Sequence, residues 1–242
     1  MKITIQRYCK HRDPHAIMAA YEVPIEECTL LEALYHIKAE VDPTLTFNSG
    51  CRSEVCGSCA MRINGKEKLA CAYKLQEGDV VEPLSKVEII KDLVVDHEAA
   101  QQTLRRVKSW LEKPAEPEQL TMEDEKRIEK QTDCILCSSC FSACPVLEVD
   151  GAFLGPFALT RAYRYTSDKR CTDEKNRIDA VQEKGVWDCT LCGECTAVCP
   201  QGIDPKNDIM MLRSKSAQYG YTDPAFANGG DDMFGGGFDP GF

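Results

Sequence analysis

Cysteine is the residue type here whose spacing could do chemistry. The chain has 15 of them. One group is Cys51, Cys56, Cys59 and Cys71; a second is Cys134, Cys137, Cys140 and Cys144; a third is Cys189, Cys192, Cys195 and Cys199. Cys9, Cys28 and Cys171 stand apart and read as structural. Thiolates are soft ligands suited to iron–sulfur clusters, zinc and copper(I). A Cys-x2-Cys-x2-Cys run packs three thiolates into one tight loop, enough for three iron corners of a cubane. The fourth cysteine of such a run, when followed by proline, ligates the other cluster in two-cluster ferredoxins.

The second group, closed by Pro145, recurs 55 residues later as the third, closed by Pro200. On the crossed rule, one 4Fe–4S cluster takes Cys134, Cys137, Cys140 and Cys199. The other takes Cys144, Cys189, Cys192 and Cys195. Such ligation also staples the two segments together. The alternative is paired zinc sites, which usually show Cys-x2-Cys pairs across a spacer rather than triplets. The first group has the plant-type 2Fe–2S spacing, Cys-x4-Cys-x2-Cys with a distant fourth. Gly50 and Gly57 fit a loop whose backbone wraps closely and points N–H groups at sulfur. Zinc is again the alternative.

These loops need elements to hold them. Residues 1–100 read as a small mixed α/β unit. Ile3 and Ile5 alternate with polar residues as in a half-buried strand. Leu30, Leu31, Leu34, Ile37 and Val41 share one helical face. Residues 60–71 form a hairpin around Asn64-Gly65, returning Cys71 to the first group. Val80-Val81 and Val87 to Val95 are further strand-forming runs. Residues 101–120 are a helix, Gln101 to Glu112, and a linker, Lys113 to Glu118. Residues 121–219 are helices, clearest at Ala158–Tyr165 and Ile209–Ser216, separated by the later cysteine groups. Residues 220–242 hold seven glycines, four aspartates and four phenylalanines, and are expected to be a mobile tail.

Composition excludes several classes. Asp and Glu outnumber Lys and Arg by 39 to 29, a formal charge of −10, which argues against nucleic acid or an anionic lipid surface as main partner. No stretch has the ~18–20 apolar residues of a membrane span. Met1–Arg7 has no apolar signal core. With cysteines odd in number, thiolate–metal chemistry in a reducing compartment is expected rather than disulfides. There is no Gly-x-Gly-x-x-Gly and no phosphate loop. His11, His15, His36 and His97 sit in no ligand spacing and are expected at surface or capping positions. Arg161 to Tyr165 reads as a packed and solvated helix face. The chain has electron-carrying centres and no substrate site, so no catalytic residue is expected in it.

The sequence resembles the iron–sulfur subunit of the succinate dehydrogenase/fumarate reductase family over most of residues 1–219. The resemblance rests on Ser49 to Met61 around the first cysteine group, on Ile90-Lys91-Asp92-Leu93-Val94-Val95-Asp96, on Cys134-Ile135-Leu136-Cys137 and on Leu154-Gly155-Pro156. It implies an α+β chain, with an N-terminal β-grasp 2Fe–2S ferredoxin domain and a C-terminal helical domain like bacterial ferredoxins. It also implies a partner flavoprotein carrying FAD, and a quinone-linked or cysteine-rich membrane anchor. The chain would then relay electrons in a quinone-linked oxidoreductase of anaerobic respiration or the tricarboxylic acid cycle. Its expected place is peripheral, on the cytoplasmic face of the inner membrane, with the periplasmic face reachable by export with a partner. Common members lack a cysteine where Cys192 stands and hold a 3Fe–4S cluster. Cys192 therefore implies a second 4Fe–4S cluster. Val149 and Thr190 stand where common members place the Trp and His of a quinone site. Both departures resemble the non-classical, methylmenaquinol:fumarate reductase-like branch. The rival readings are an electron-transfer subunit of another flavoprotein oxidoreductase, such as a thiol-driven fumarate reductase, and a soluble ferredoxin-like carrier.

Overall fold

Alternation puts Ile3 and Ile5 on the buried side of β1 (Lys2–Arg7), both fully removed from solvent. The computed structural model describes residues 1–112 and 119–227. β1 pairs antiparallel with β2 (Ile17–Glu22) through six residue pairs. Thr29 caps α1 (Leu30–His36) in a reciprocal box with Glu32. Leu30, Leu31, Ala33 and Leu34 turn inward from this helix. It continues as a wider π turn over Ile37–Val41, where the Asp42 N–H donates to the Ile37 carbonyl at 2.7 Å.

The hairpin forms as β3 (Ala60–Ile63) and β4 (Lys66–Leu69). Asn64 (φ +51°) and Gly65 (φ +77°) take the left-handed pair that a two-residue turn demands. β5 (Val80–Glu82) lies parallel to β1 and antiparallel to β3, giving the order β2-β1-β5-β3-β4. A mixed sheet of this order with α1 in its core is a β-grasp. β6 (Glu88–Lys91) and β7 (Val94–Asp96) form a separate pair. Asp92 anchors the region ahead of the first cysteine loop. It accepts from Arg7 Nε at 3.0 Å, the Tyr8 N–H at 3.1 Å and the Thr46 N–H at 2.9 Å.

The rest is helical: α2 (Glu98–Arg106), α3 (Met122–Lys126), α4 (Glu129–Thr132), α5 (Ser139–Ser142) and α6 (Val146–Val149) come first. They are followed by α7 (Gly155–Thr166), α8 (Glu174–Asp179), α9 (Glu194–Ala197), α10 (Pro205–Gln218) and α11 (Pro224–Ala227). Ala158, Leu159 and Ala162 of α7 make the centre of a second core, joined by Ile209 and Leu212 of α10 and by Ala100 of α2. Each large aliphatic side chain withdrawn from water here is worth about 1.5–3 kcal/mol. The helix expected over 101–112 starts earlier and ends at Arg106, because Lys108 turns left-handed (φ +52°). α2 thus follows the strands in sequence yet packs with the helices.

Ser142 of α5 is the main bolt between the halves. Its Oγ donates to the buried Glu67 at 2.6 Å and accepts from the Ser85 N–H at 2.9 Å. Its carbonyl accepts from Ser85 Oγ and Lys86 Nζ, each at 2.9 Å. Ordered packing continues past Gly220, into the segment expected to be mobile: Tyr221 Oη donates to Asp179 at 2.6 Å. The expected linker, 113–118, and the remainder of the tail, 228–242, lie outside the described residues. No helix among the described residues is long and apolar enough to cross a membrane.

Candidate cluster sites

The 55-residue repeat is also a repeat of backbone. Leu136 (φ +55°) and Ser138 (φ +63°) of the first run match Leu191 (φ +56°) and Gly193 (φ +87°) of the second. α5 and α9 then begin at equivalent positions. A left-handed residue other than glycine costs of order 1–2 kcal/mol. Three such residues in two short loops mean that the chain is bent to turn its cysteines inward.

Cys134, Cys137 and Cys140 line one cavity, and Cys199 of the other run lines it with them. Phe157 and Thr160 of α7 complete its wall. Burial raises the Cys134 and Cys137 thiols and lifts Cys140 well above its ordinary value. Around Cys195, burial first, and then the neighbouring Cys189, Cys144 and Cys192, push the thiol up to about 12. The structure therefore gathers the cysteines in the crossed sets. Cys140 and Cys195 lie close enough to act on one another, so the two sets adjoin. Deprotonated ligands stay in such a place only when a cation balances them, so metal binding here releases protons.

The first group lies on an exposed loop. The N–H groups of Ser53, Val55 and Cys56 donate to Cys51 Sγ at 3.3–3.4 Å, and the Cys51 N–H donates to Cys56 Sγ at 3.3 Å. The Ser53 and Val55 amides pull the Cys51 thiol down to about 6, so it is thiolate at neutral pH. Cys59 is buried at the start of the hairpin, and burial, with Cys71 beside it, pushes it up to about 11. Gly50 leaves room for sulfur: a Cβ there would stand 2.8 Å from Cys56 Sγ. Clustered thiols, amides aimed at sulfur and little room for a side chain at Gly50 fit an anionic metal–sulfur group. Among the described residues, no three His, Cys, Asp or Glu side chains close into a single-ion site.

Several neighbours of these loops were invisible in the sequence. His97 takes the capping position at the head of α2, half-buried, with Nδ1 3.3 Å from Ser138 Oγ; burial lowers its pKa. Gln201 Nε2 donates to the Glu54 carbonyl at 3.0 Å, joining the third cysteine group to the first loop. Arg213 of α10 donates to the carbonyls of Val186 (2.8 Å), Trp187 (3.3 Å) and Cys189 (2.7 Å) and holds the third loop from below. These partners are far apart in the chain, and no local pattern announces them. Arg161 and Arg164 lie over Tyr165, as expected of a packed and solvated face. Cys28 is buried beside α1, and Cys9 and Cys171 are half-buried; all three are free.

A β-grasp unit with a plant-type cysteine loop, joined to a helical unit with two cubane runs, defines an iron–sulfur electron-transfer protein. Residues 2–102 match the family model of a 2Fe–2S iron–sulfur cluster binding domain, and residues 130–203 match that of a 4Fe–4S dicluster domain. The fumarate reductase iron–sulfur subunit of Mycobacterium tuberculosis is 37% identical over 238 residues, 93% of this chain and 96% of that one. The 8-methylmenaquinol:fumarate reductase iron–sulfur subunit of Wolinella succinogenes is 37% identical over 235 residues, 91% of this chain and 74% of that one. In structure the chain superposes on a chain of the Mycobacterium smegmatis Sdh1 complex with a TM-score of 0.83 at 23% identity, covering 91% of this chain and 97% of that one. The chain belongs to the family of iron–sulfur subunits of fumarate reductases and succinate dehydrogenases.

Proposed function

We propose that Cys51, Cys56, Cys59 and Cys71 hold one 2Fe–2S cluster, that Cys134, Cys137, Cys140 and Cys199 hold a 4Fe–4S cluster, and that Cys144, Cys189, Cys192 and Cys195 hold a second. One-electron transfer is the chemistry these groups supply when bound. The residues of the chain bind them, screen them from water and aim amides at their sulfurs, which tunes potential. The single observation that carries the assignment is Cys199 lining one cavity with Cys134, Cys137 and Cys140.

On this reading the exposed loop of Cys51 and Cys56 faces a flavoprotein subunit with FAD, where succinate and fumarate interconvert. The exposed Cys192 and the exposed Val149 face a quinone-linked or cysteine-rich membrane anchor. The subunit is peripheral to the inner membrane, on its cytoplasmic face. The test is native purification under anaerobic conditions. The expected result is a copurifying flavoprotein, ten irons per chain on the proposed ligand sets, and fumarate and succinate turnover with quinol and quinone analogues. A colourless chain, or a flavoprotein partner inactive on both dicarboxylates, would overturn the reading.

A further inference from the structure

Gly57 stands where the first cysteine loop meets the second. A Cβ on Gly57 would lie 2.7 Å from Cys137 Cβ, 3.0 Å from Cys137 Cα and 3.1 Å from the Ile135 carbonyl oxygen. Ordinary contact begins at 3.4 Å, so a single methyl group would force the loops apart by about 0.7 Å against Cys137 Cβ. Gly57 is left-handed (φ +71°), but that alone does not call for glycine. Arg52 (φ +61°) and Glu54 (φ +63°) of the same loop, and Leu136 and Ser138 of the facing loop, take left-handed backbone with side chains. What singles out Gly57 is the neighbour.

We propose that Gly57 is a positioning residue for electron transfer between the N-terminal cluster and the first cubane: by lacking a side chain it lets Cys56–Gly57 lie directly on Cys137. This rests on the ligand assignments above. The step it serves is simple. One electron leaves the reduced 2Fe–2S centre and enters the oxidised 4Fe–4S centre; no bond forms or breaks and no proton moves. Tunnelling falls exponentially with distance, so the gap between the loops sets the rate. The Gln201–Glu54 tether holds the first loop down on the helical half beside this contact.

The experiment uses the purified complex with Gly57→Ala. Gly78→Ala is the control, since Gly78 is equally left-handed (φ +83°) but has nothing within 4 Å of the added methyl. Three quantities are read: iron and sulfide content, microwave power saturation of the reduced 2Fe–2S signal with the neighbouring cubane reduced, and the rate of intercluster transfer after flash reduction. Gly57→Ala is expected to keep its clusters, to saturate at lower power because spin–spin relaxation weakens, and to transfer several-fold more slowly. Gly78→Ala is expected to change neither saturation nor rate. Should Gly57→Ala fail to take up its 2Fe–2S cluster, Ile135→Ala supplies the reading, because Ile135, whose carbonyl faces Gly57, packs the second loop against the N-terminal core at this same contact. It should show the same slower transfer with every cluster loaded. Full loading with unchanged saturation and rate, in Gly57→Ala or in its substitute, overturns the proposal. If the parent complex itself lacks these signals, it is the cluster assignment that fails.

Discussion

Asp208, in the first turn of α10, is only 1% exposed. Its Oδ1 accepts from Gln131 Nε2 at 2.8 Å, while Oδ2 finds no hydrogen-bond partner among the described residues. The Thr160 hydroxyl lies toward it without closing a bond. Burial pushes the carboxyl up to about 7, against the opposing pull of Gln131 and Thr160, with Asp204 adding repulsion. The folded state thus holds a proton that the unfolded chain releases near 3.8. Between those values the native protein binds more protons than the unfolded one, so stability falls as pH rises. Working the linkage from pH 5 to pH 8 gives a loss of about 2 to 3 kcal/mol from this group alone. For a chain of this size that is about 5 to 10 °C in Tm. Asp208→Asn keeps the acceptor for Gln131 and removes the proton. The assay is the Tm of loaded parent and variant at pH steps from 5 to 8, and the decisive quantity is the difference between them. The variant should gain on the parent steadily as pH rises, and an infrared carboxyl stretch absent from the variant should fade from the parent near pH 7. A Tm difference that stays flat across the series would refute the reasoning.

Three further outcomes follow from the site and the core. Cys192→Ser should cost the distal cluster one iron and give a 3Fe-type paramagnetic signal when oxidised, so unchanged EPR and iron content would count against Cys192 as a ligand. Cys56→Ser should remove the 2Fe–2S signal and leave both cubane signals intact, read by EPR at graded reduction. At Gly185 an added Cβ would fall 1.9 Å from the Val181 carbonyl oxygen and 3.2 Å from Leu154 Cδ1. Gly185→Ala should therefore destabilise by about 1–3 kcal/mol through forced backbone movement, a loss that calorimetry would register and that a Tm equal to the parent's would disprove.

The sequence disclosed most where a local rule operates. The period of two in β1 and the Asn64-Gly65 turn appear where their patterns require; the apolar face of α1 holds from Leu30 to Ile37, but Val41, expected on it, is exposed because the helix widens into a π turn. The crossed cysteine sets are an expectation from spacing alone, and Cys134, Cys137, Cys140 and Cys199 line one cavity. β2 was not legible, since Ile-Met-Ala-Ala-Tyr-Glu carries two alanines and little strand preference. It is a strand because β1 offers six pairing partners. His97 stands at a capping position as expected, but its contact with Ser138, 41 residues away, had no local signal. The Gln201–Glu54 bond spans 147 residues. Neither they nor the Gly57–Cys137 approach leave a trace in composition or periodicity, because they are products of how the two halves meet.

The shared cavity also fixes a schedule. Cys199 closes the wall begun by Cys134, Cys137 and Cys140, so on the proposed ligand sets a nascent chain could finish neither cubane until its third cysteine group has been synthesised. On the same sets, a product stalled before Cys189 would leave the second group without the fourth ligand of its cluster. The first loop waits for no such arrival: its four cysteines are complete by Cys71, and biogenesis can begin there while the remainder is still being made.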